Sequence, residues 1–373
     1  MDNAIQNDYR PDEVSPPGET LADVIEDRGM SQASLARRTG LSTKTICGLI
    51  AGREPLSQDT ALALETVLGV PARFWNSREA AYRESLARRA EEEKRAQYGQ
   101  WTKQFPYSDG VKLGFLEPTR KLSDRVRSLC AFFAISSPEA YGRVREELLP
   151  AWREERTAKG DVHARAMWMR MGEIKAQEMD CQPYDKAAFR AALDEARKLT
   201  CVRDPEDFVQ RLQDLCAGCG VAVVFVPELK GTAAYGATRW LSPAKAMIAL
   251  SLRRKTNDQL WFAFFHEAGH ILLHGRRDVF MERDSGIPRD EALAQKEEEA
   301  NRFAADHLIP RGRYEEFIFR GLRGASSIRE FAKEVGIAPG IVVGRLQREK
   351  HIKYNRHNDL KVRYQWSGGG EDV

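Results

Sequence analysis

Trp261-Phe-Ala-Phe-Phe-His266-Glu267-Ala-Gly-His270-Ile-Leu-Leu-His274 is the stretch on which the reading of this chain turns. His266 and His270 are four residues apart. On an α-helix such residues stand one above the other, so both imidazoles project from one face. Two imidazoles so placed can hold one tetrahedral zinc ion at about 2.0–2.1 Å each. Glu267, beside the first histidine, leans toward the open side of the metal, where it can take a proton from water. Leu260 to Leu273 is apolar almost all round, which predicts a buried helix. Gly269 costs about 1 kcal/mol in a helix interior relative to alanine, so a closely approaching neighbour is expected there. The competing reading is a chance match whose histidines are satisfied core residues. Burying two histidines and a glutamate in an apolar helix weighs against it, because unpaired polar groups there are costly.

A third ligand is needed, and Glu297-Glu-Glu-Ala-Asn301-Arg-Phe-Ala-Ala-Asp-His-Leu-Ile-Pro310 supplies a candidate. It reads as a helix ended by Pro310. Glu297 and Asn301 share a face, which suits a carboxylate ligand with an amide behind the metal shell. Glu298 and Glu299 point about 100° and 200° away and are expected to face water. The competing reading makes all three acids a solvated run.

These residues carry a resemblance. His266-Glu267-Ala-Gly-His270, then Glu297-x-x-Ala300-Asn301-x-Phe303-Ala304, then Leu308-x-Pro310, resembles the ImmA/IrrE family of bacterial metallopeptidases over roughly Leu193 to Gln347. The resemblance implies that His266, His270 and Glu297 bind zinc and that Glu267 is the general base. It also implies a zincin-like α+β domain in which a small sheet lies beside the metal helix.

The 373 residues suggest two domains, and 42% apolar with 30% charged residues is the composition of a soluble globular protein. A net charge of +3 does not by itself require an anionic partner. Six scattered cysteines do not form a disulfide framework. Cys216-x-x-Cys219 has no second Cys or His pair near it, so it reads as the buried end of a helix before Gly220, with a redox role as the alternative. Met1 to Thr20 lacks the apolar core of a signal peptide, and no apolar run approaches 18 residues, so a cytoplasmic protein without membrane spans is expected.

The N-terminal part has its own pattern. Gly18 to Arg28 reads as an amphipathic helix ended by Gly29. Ser31 caps a second helix that runs to Arg38, and Ser42 caps a third from Thr43 to Ala51. Leu62, Leu64, Val67 and Leu68 of a fourth helix are expected to close the small core. Helix, glycine turn and helix at this spacing is the helix-turn-helix of DNA-binding proteins. Residues 1–75 hold seven basic and eleven acidic residues, yet Ser31 to Arg53 holds Arg37, Arg38, Lys44 and Arg53 and no acid. Positive charge is thus concentrated where phosphate would lie. Gln32, Ser42, Thr43, Lys44 and Thr45 are the candidate contacts to phosphate and base edges. An interaction domain without DNA contact is the alternative. Met30 to Ile46, Thr60 to Glu65 and Gly69 to Trp75 resemble HigA-type antitoxins of the Xre-like helix-turn-helix class over about residues 15–85. That resemblance implies operator DNA, a homodimer and a toxin as a further candidate partner.

The expected fold is mainly α with a small antiparallel β-sheet. In order, it has a flexible tail (1–17), the helix-turn-helix bundle (18–75), a charged helical linker (76–100), a helical collar (101–200), the metallopeptidase domain (201–350) and a C-terminal tail (351–373). Val221 to Val226, Ala233 to Trp240 and Ala246 to Leu252 read as strands. Ile328 to Gln347 reads as a helical hairpin with some likeness to a second helix-turn-helix. The function expected is a DNA-binding zinc endopeptidase that cleaves a repressor or other regulatory protein, regulates transcription, or does both. The alternative is an antitoxin-like repressor whose metal domain senses or binds a partner without cleaving it. His274, His307, Tyr235 and Arg239 are the candidate donors to the oxyanion of the tetrahedral intermediate.

Overall fold

A computed structural model describes residues 14–149, 161–251, 256–275, 280–283, 291–321 and 323–364. The first part of the N-terminal tail and all of the Gly-rich end from Ser367 lie outside the described residues. The chain divides into two compact units, Met1–Gly99 and Gln100–Val373.

The first unit is helical. It comprises α1 (Pro17–Asp27), α2 (Gln32–Thr39), α3 (Thr43–Ile50), α4 (Gln58–Leu68) and α5 (Ala72–Gln97). Ser31, Ser42 and Ser57 each cap a helix by accepting the N–H three residues on, at 3.2, 3.0 and 3.2 Å. Gly40 ends α2 with φ 73°, a left-handed turn that costs glycine least. Leu21, Leu35, Ile46, Leu64, Leu68 and Trp75 form the core. Leu62 was expected inside but is 57% exposed. Ala61, Leu64 and Leu68 set the buried stripe of α4, and Leu62 stands about 100° off it. Trp75 roots α5 in this core, and the charged stretch after it continues as the same helix. Glu79–Arg83, Glu84–Arg88 and Glu91–Arg95 pair along it at one-turn spacing.

The second unit begins with α6 (Tyr107–Lys112), α7 (Leu122–Phe133), α8 (Tyr141–Leu148) and α9 (Val162–Glu178). Next come α10 (Lys186–Lys198) and α11 (Pro205–Ala217), then β1 (Val221–Val226), β2 (Ala234–Ser242) and β3 (Lys245–Ser251). α12 (Asn257–Leu273) carries the histidines, and β4 (Phe280–Arg283) leads to α13 (Glu291–Leu308). The last helices are α14 (Arg311–Phe319), α15 (Ala325–Val335) and α16 (Pro339–Arg348).

The sheet order is β1-β3-β2-β4. β2 runs antiparallel to β3 and β4, but β1 pairs with β3 in parallel, so the sheet is mixed rather than antiparallel throughout. The cause is the β2–β3 hairpin, which folds back so that β3 inserts beside β1 in the same direction. The expected β2–β3 pairing is present.

Period-2 alternation splits the strands between two cores. Val221, Val223, Ile248 and Leu250 face α12, whereas Ala222, Val224, Met247 and Ala249 face Met167, Trp168 and Met171 of α9. The stretch read as a collar therefore provides the layer on the back of the sheet. Gly172 lets α9 come close: a Cβ there would lie 3.2 Å from Ala249 Cβ. The α15–α16 hairpin belongs to the core around α12. Asn257 does not cap α12 as its outer residue; Thr256 holds that position. Its Oδ1 instead accepts the N–H groups of Asp258 and Val362. The first turn of α12 is tied to the C-terminal segment, and Trp261 Nε1 donates to Tyr364 OH at 3.0 Å. Cys216 and Cys219 are buried free thiols at the end of α11, and burial pushes both upward in pKa.

Candidate metal centre

α12 is almost wholly buried, so its polar groups need partners in the interior. His266 Nε2 and His270 Nε2 face each other at 3.0 Å. Glu297 on α13 completes the group: Oε2 lies 3.2 Å from His266 Nε2 and Oε1 3.7 Å from His270 Nε2. The close crossing of α12 and α13 that permits this depends on Gly269. A Cβ there would meet Ala300 Cα at 3.3 Å and Phe303 Cδ1 at 3.1 Å. This is the neighbour expected from the glycine.

Each imidazole is oriented from behind. His266 Nδ1 lies 3.1 Å from Asn301 Oδ1, which can only accept, so His266 carries its proton on Nδ1. Arg348 of α16 donates to the same oxygen at 3.0 Å and lies 4.2 Å over the Phe262 ring. His270 Nδ1 meets His274 Nδ1 at 2.9 Å, and His274 Nε2 meets Glu299 at 3.2 Å. One assignment satisfies the whole line: His270 donates from Nδ1, and His274 accepts at Nδ1 and donates from Nε2 to Glu299. Both ligand histidines then present the Nε2 lone pair to the same point. Two facing lone pairs and a carboxylate are the donor set of a zinc site, so the residues fit the ion.

Electrostatics agree. Burial lowers His270 from 6.5 to about 4 against the opposing hydrogen bond of Glu297, so its ring is neutral at pH 7. Burial alone would raise Glu297. When no metal is bound the histidines can place a proton on Nε2, and hydrogen bonds from there outweigh burial and hold the carboxyl at about 2. A lowered folded pKa means that the unfolded chain binds the extra proton between about pH 6.5 and 4, so stability falls as pH drops through that window. Burial lowers His163 and His307 in the same direction. With a chelator present, we expect acidification from pH 7 to 4.5 to depress the melting temperature, by a few kcal/mol of lost stability from His270. His270→Gln should remove its share of the slope; a slope identical to wild type would refute the assignment.

Glu267, next to His266 on α12, is fully buried, and its Oε2 accepts from Thr238 Oγ1 of β2 at 2.6 Å. Gly236 leaves it room, since a Cβ there would lie 2.7 Å from Glu267 Oε1.

The four candidate oxyanion donors part company. Thr238 faces α12, so its neighbour Arg239 faces the back of the sheet, where it pairs with Glu173 of α9 at 2.8 Å. That placement removes Arg239 from the centre. His307 stacks on Phe265 and Phe303 and approaches Asp194 of α10 at 3.5 Å, also away from it. His274 is occupied behind His270. Tyr235 remains on the α12 side, beside the bulge in β2, and lines a cavity with Phe262 and Asn301. Sequence reasoning missed Thr238, Arg348 and Glu299. Glu299 was expected in water but is half-buried and bound to His274 and Gln295.

In the first unit, Thr43 and Lys44 stand exposed at the start of α3, and Arg37, Arg38 and Arg53 are exposed around the turn. Ser42 and Thr45 are joined through their hydroxyls at 2.8 Å, and Ser42 also caps α3. Gln32 Oε1 accepts from Cys47 Sγ at 3.0 Å, which holds it against α3.

The two units thus define a helix-turn-helix bundle joined to an α+β domain with a His/His/Glu centre. The helix-turn-helix family matches residues 21–75, and the Peptidase_M78 family, described as the IrrE N-terminal-like domain, matches residues 220–347. The chain carries both domains. Among solved structures, it is similar to a candidate antidote protein of a plasmid maintenance system from Nostoc punctiforme PCC 73102. The two are 29% identical, the match covers 22% of this chain and 91% of that one, and the TM-score is 0.22. It is also similar to an addiction module antidote protein of the HigA family from Coxiella burnetii, 26% identical over 22% of this chain and 90% of that one, TM-score 0.21. No curated protein matches the chain. No helix among the described residues is long and apolar enough to cross a membrane.

Proposed function

We propose that the chain is a DNA-binding, zinc-dependent endopeptidase of the cytoplasm that cleaves a regulatory protein. The observation that carries this reading is Glu267, a fully buried carboxylate next to His266 on the same helix and held by Thr238. A site that only bound a partner would have no use for a buried acid, whose desolvation is costly.

His266, His270 and Glu297 would hold the ion. Zinc there supplies a Lewis acid that polarises a peptide carbonyl and makes nearby water more acidic. Glu267 takes the proton of the attacking water and hands it to the leaving amine. Thr238 keeps the carboxylate in one rotamer through both transfers. Tyr235 is the candidate that remains to steady the oxyanion. The purified protein should contain about one zinc per chain. Comparing new protein ends in cells carrying wild type and Glu267→Gln tests cleavage. Identical end profiles would favour the alternative, a non-cleaving repressor of antitoxin type with a protein partner such as a toxin.

The helix-turn-helix domain would bring the enzyme to an operator, as a homodimer on a palindrome. Arg37, Arg38, Lys44 and Arg53 would meet phosphate, and Gln32, Ser42, Thr43 and Thr45 would lie over the groove. Lys44→Ala should weaken operator binding and lower the slope of log affinity against log salt by about 1. Unchanged affinity and slope would place the DNA face elsewhere.

A further inference from the structure

The two ligand histidines are supported by chains that end in opposite charges. Behind His270, the line runs through His274 to the Glu299 carboxylate, which Gln295 Nε2 holds at 2.9 Å. Behind His266, the line runs through Asn301 to the Arg348 guanidinium. Arg348 makes no ion pair with a carboxylate among the described residues; its contacts are Asn301 Oδ1 and the Phe262 ring. These supports come from positions distant in sequence. His274 lies four residues beyond His270, at the residue that ends α12, whereas Arg348 is 47 residues from Asn301 and reaches it from α16.

We infer that Glu299 and Arg348 are positioning residues that tune the two metal-binding imidazoles in opposite senses, with His270 made the stronger donor and His266 the weaker. The inference rests on the zinc reading above. An imidazole whose N–H donates toward an anion gains electron density at its other nitrogen, and metal ligands held this way are more basic. Glu299 acts on His270 through one intervening ring. Asn301 Oδ1 is shared by two donors, one of them a cation. The oxygen has a lone pair for each donor, but the cation draws its electron density away, which weakens the bond it accepts from His266 Nδ1–H and leaves less density on Nε2. A purely structural pair of supports would behave differently, since losing either would only loosen the site.

The sign of the effect is therefore the test. Zinc dissociation constants would be measured by chelator competition for the full chain. Glu299→Gln keeps an acceptor for His274 and removes the charge; we expect affinity to fall about tenfold, the lower end of the range for outer partners of metal ligands. Arg348→Met keeps the stem over Phe262 and removes the charge; we expect affinity to rise several-fold. The melting curves of both variants in chelator should match wild type, because the substituted groups lie at the surface end of each chain. Weaker binding in both variants, or no change in Glu299→Gln, would overturn the inference while leaving the metal centre intact. A wild-type chain that takes up no zinc would overturn both readings together.

Discussion

Replacing Glu267 by glutamine is expected to lower cleavage about 10²–10⁴-fold, the usual contribution of a general base, while zinc stays bound. The substitution is nearly isosteric. Thr238 Oγ1, now 2.6 Å from Oε2, can still donate to the amide oxygen. The ligands do not change, and the Gly236 backbone still leaves room beside the side chain. What disappears is the ability to accept a proton. A buried acid is also expensive to desolvate, so the variant should melt at the wild-type temperature or above it. Lost activity with retained zinc and undiminished stability would separate chemistry from architecture. Loss of zinc together with activity would instead make Glu267 a structural support of the site.

Gly18→Ala is expected to destabilise the first unit strongly and to weaken operator binding as its folded fraction falls on heating. An ideal Cβ at this position would lie 2.5 Å from Ile50 Cα and 2.6 Å from Ile50 O, and nearer still to Leu49 O. These are backbone atoms at the end of α3, which no rotamer change can relieve. Overpacking of this kind costs typically 1–3 kcal/mol and at times more. A domain of fewer than 100 residues has a stability of only about 5–10 kcal/mol. Gly40→Ala is the control. Nothing lies within 4 Å of a Cβ there, and its cost is the strain of φ 73° alone, about 1 kcal/mol. Gly18→Ala should lower the melting temperature of the first unit well below that of Gly40→Ala, with zinc content unchanged in both. Equal melting temperatures would show that α1 can shift away from α3 at little cost.

The legible parts of the chain are those where the information is local. His266 and His270 share a face because a helix puts residues four apart side by side. Ser31 and Ser42 mark their helix starts by hydrogen bonds that span three residues, and the glycine turn between the two helices sits at Gly40 with φ 73°. Glu297 stood out through Asn301 one turn on. Arg239 was misplaced because alternation says that 238 and 239 face opposite ways but not which of them faces α12; packing settled it through Thr238 and Glu173. Leu62 was misplaced because four apolar side chains compete for a stripe that holds fewer, and Ala61 took the inner position.

Local pattern was enough to read the helix with two histidines on one face, the second acidic helix, the helix-turn-helix and its basic turn. Each is written in contacts within a few residues, where chain geometry leaves little choice. Long-range packing was needed to run β1 parallel to β3, to lay α9 on the back of the sheet, and to bring Thr238 to Glu267, Glu299 to His274 and Arg348 to Asn301. Those partners meet across tens of residues. Their meeting depends on how helices cross and which strand face is buried, quantities set by the packing of the whole core rather than by any one segment.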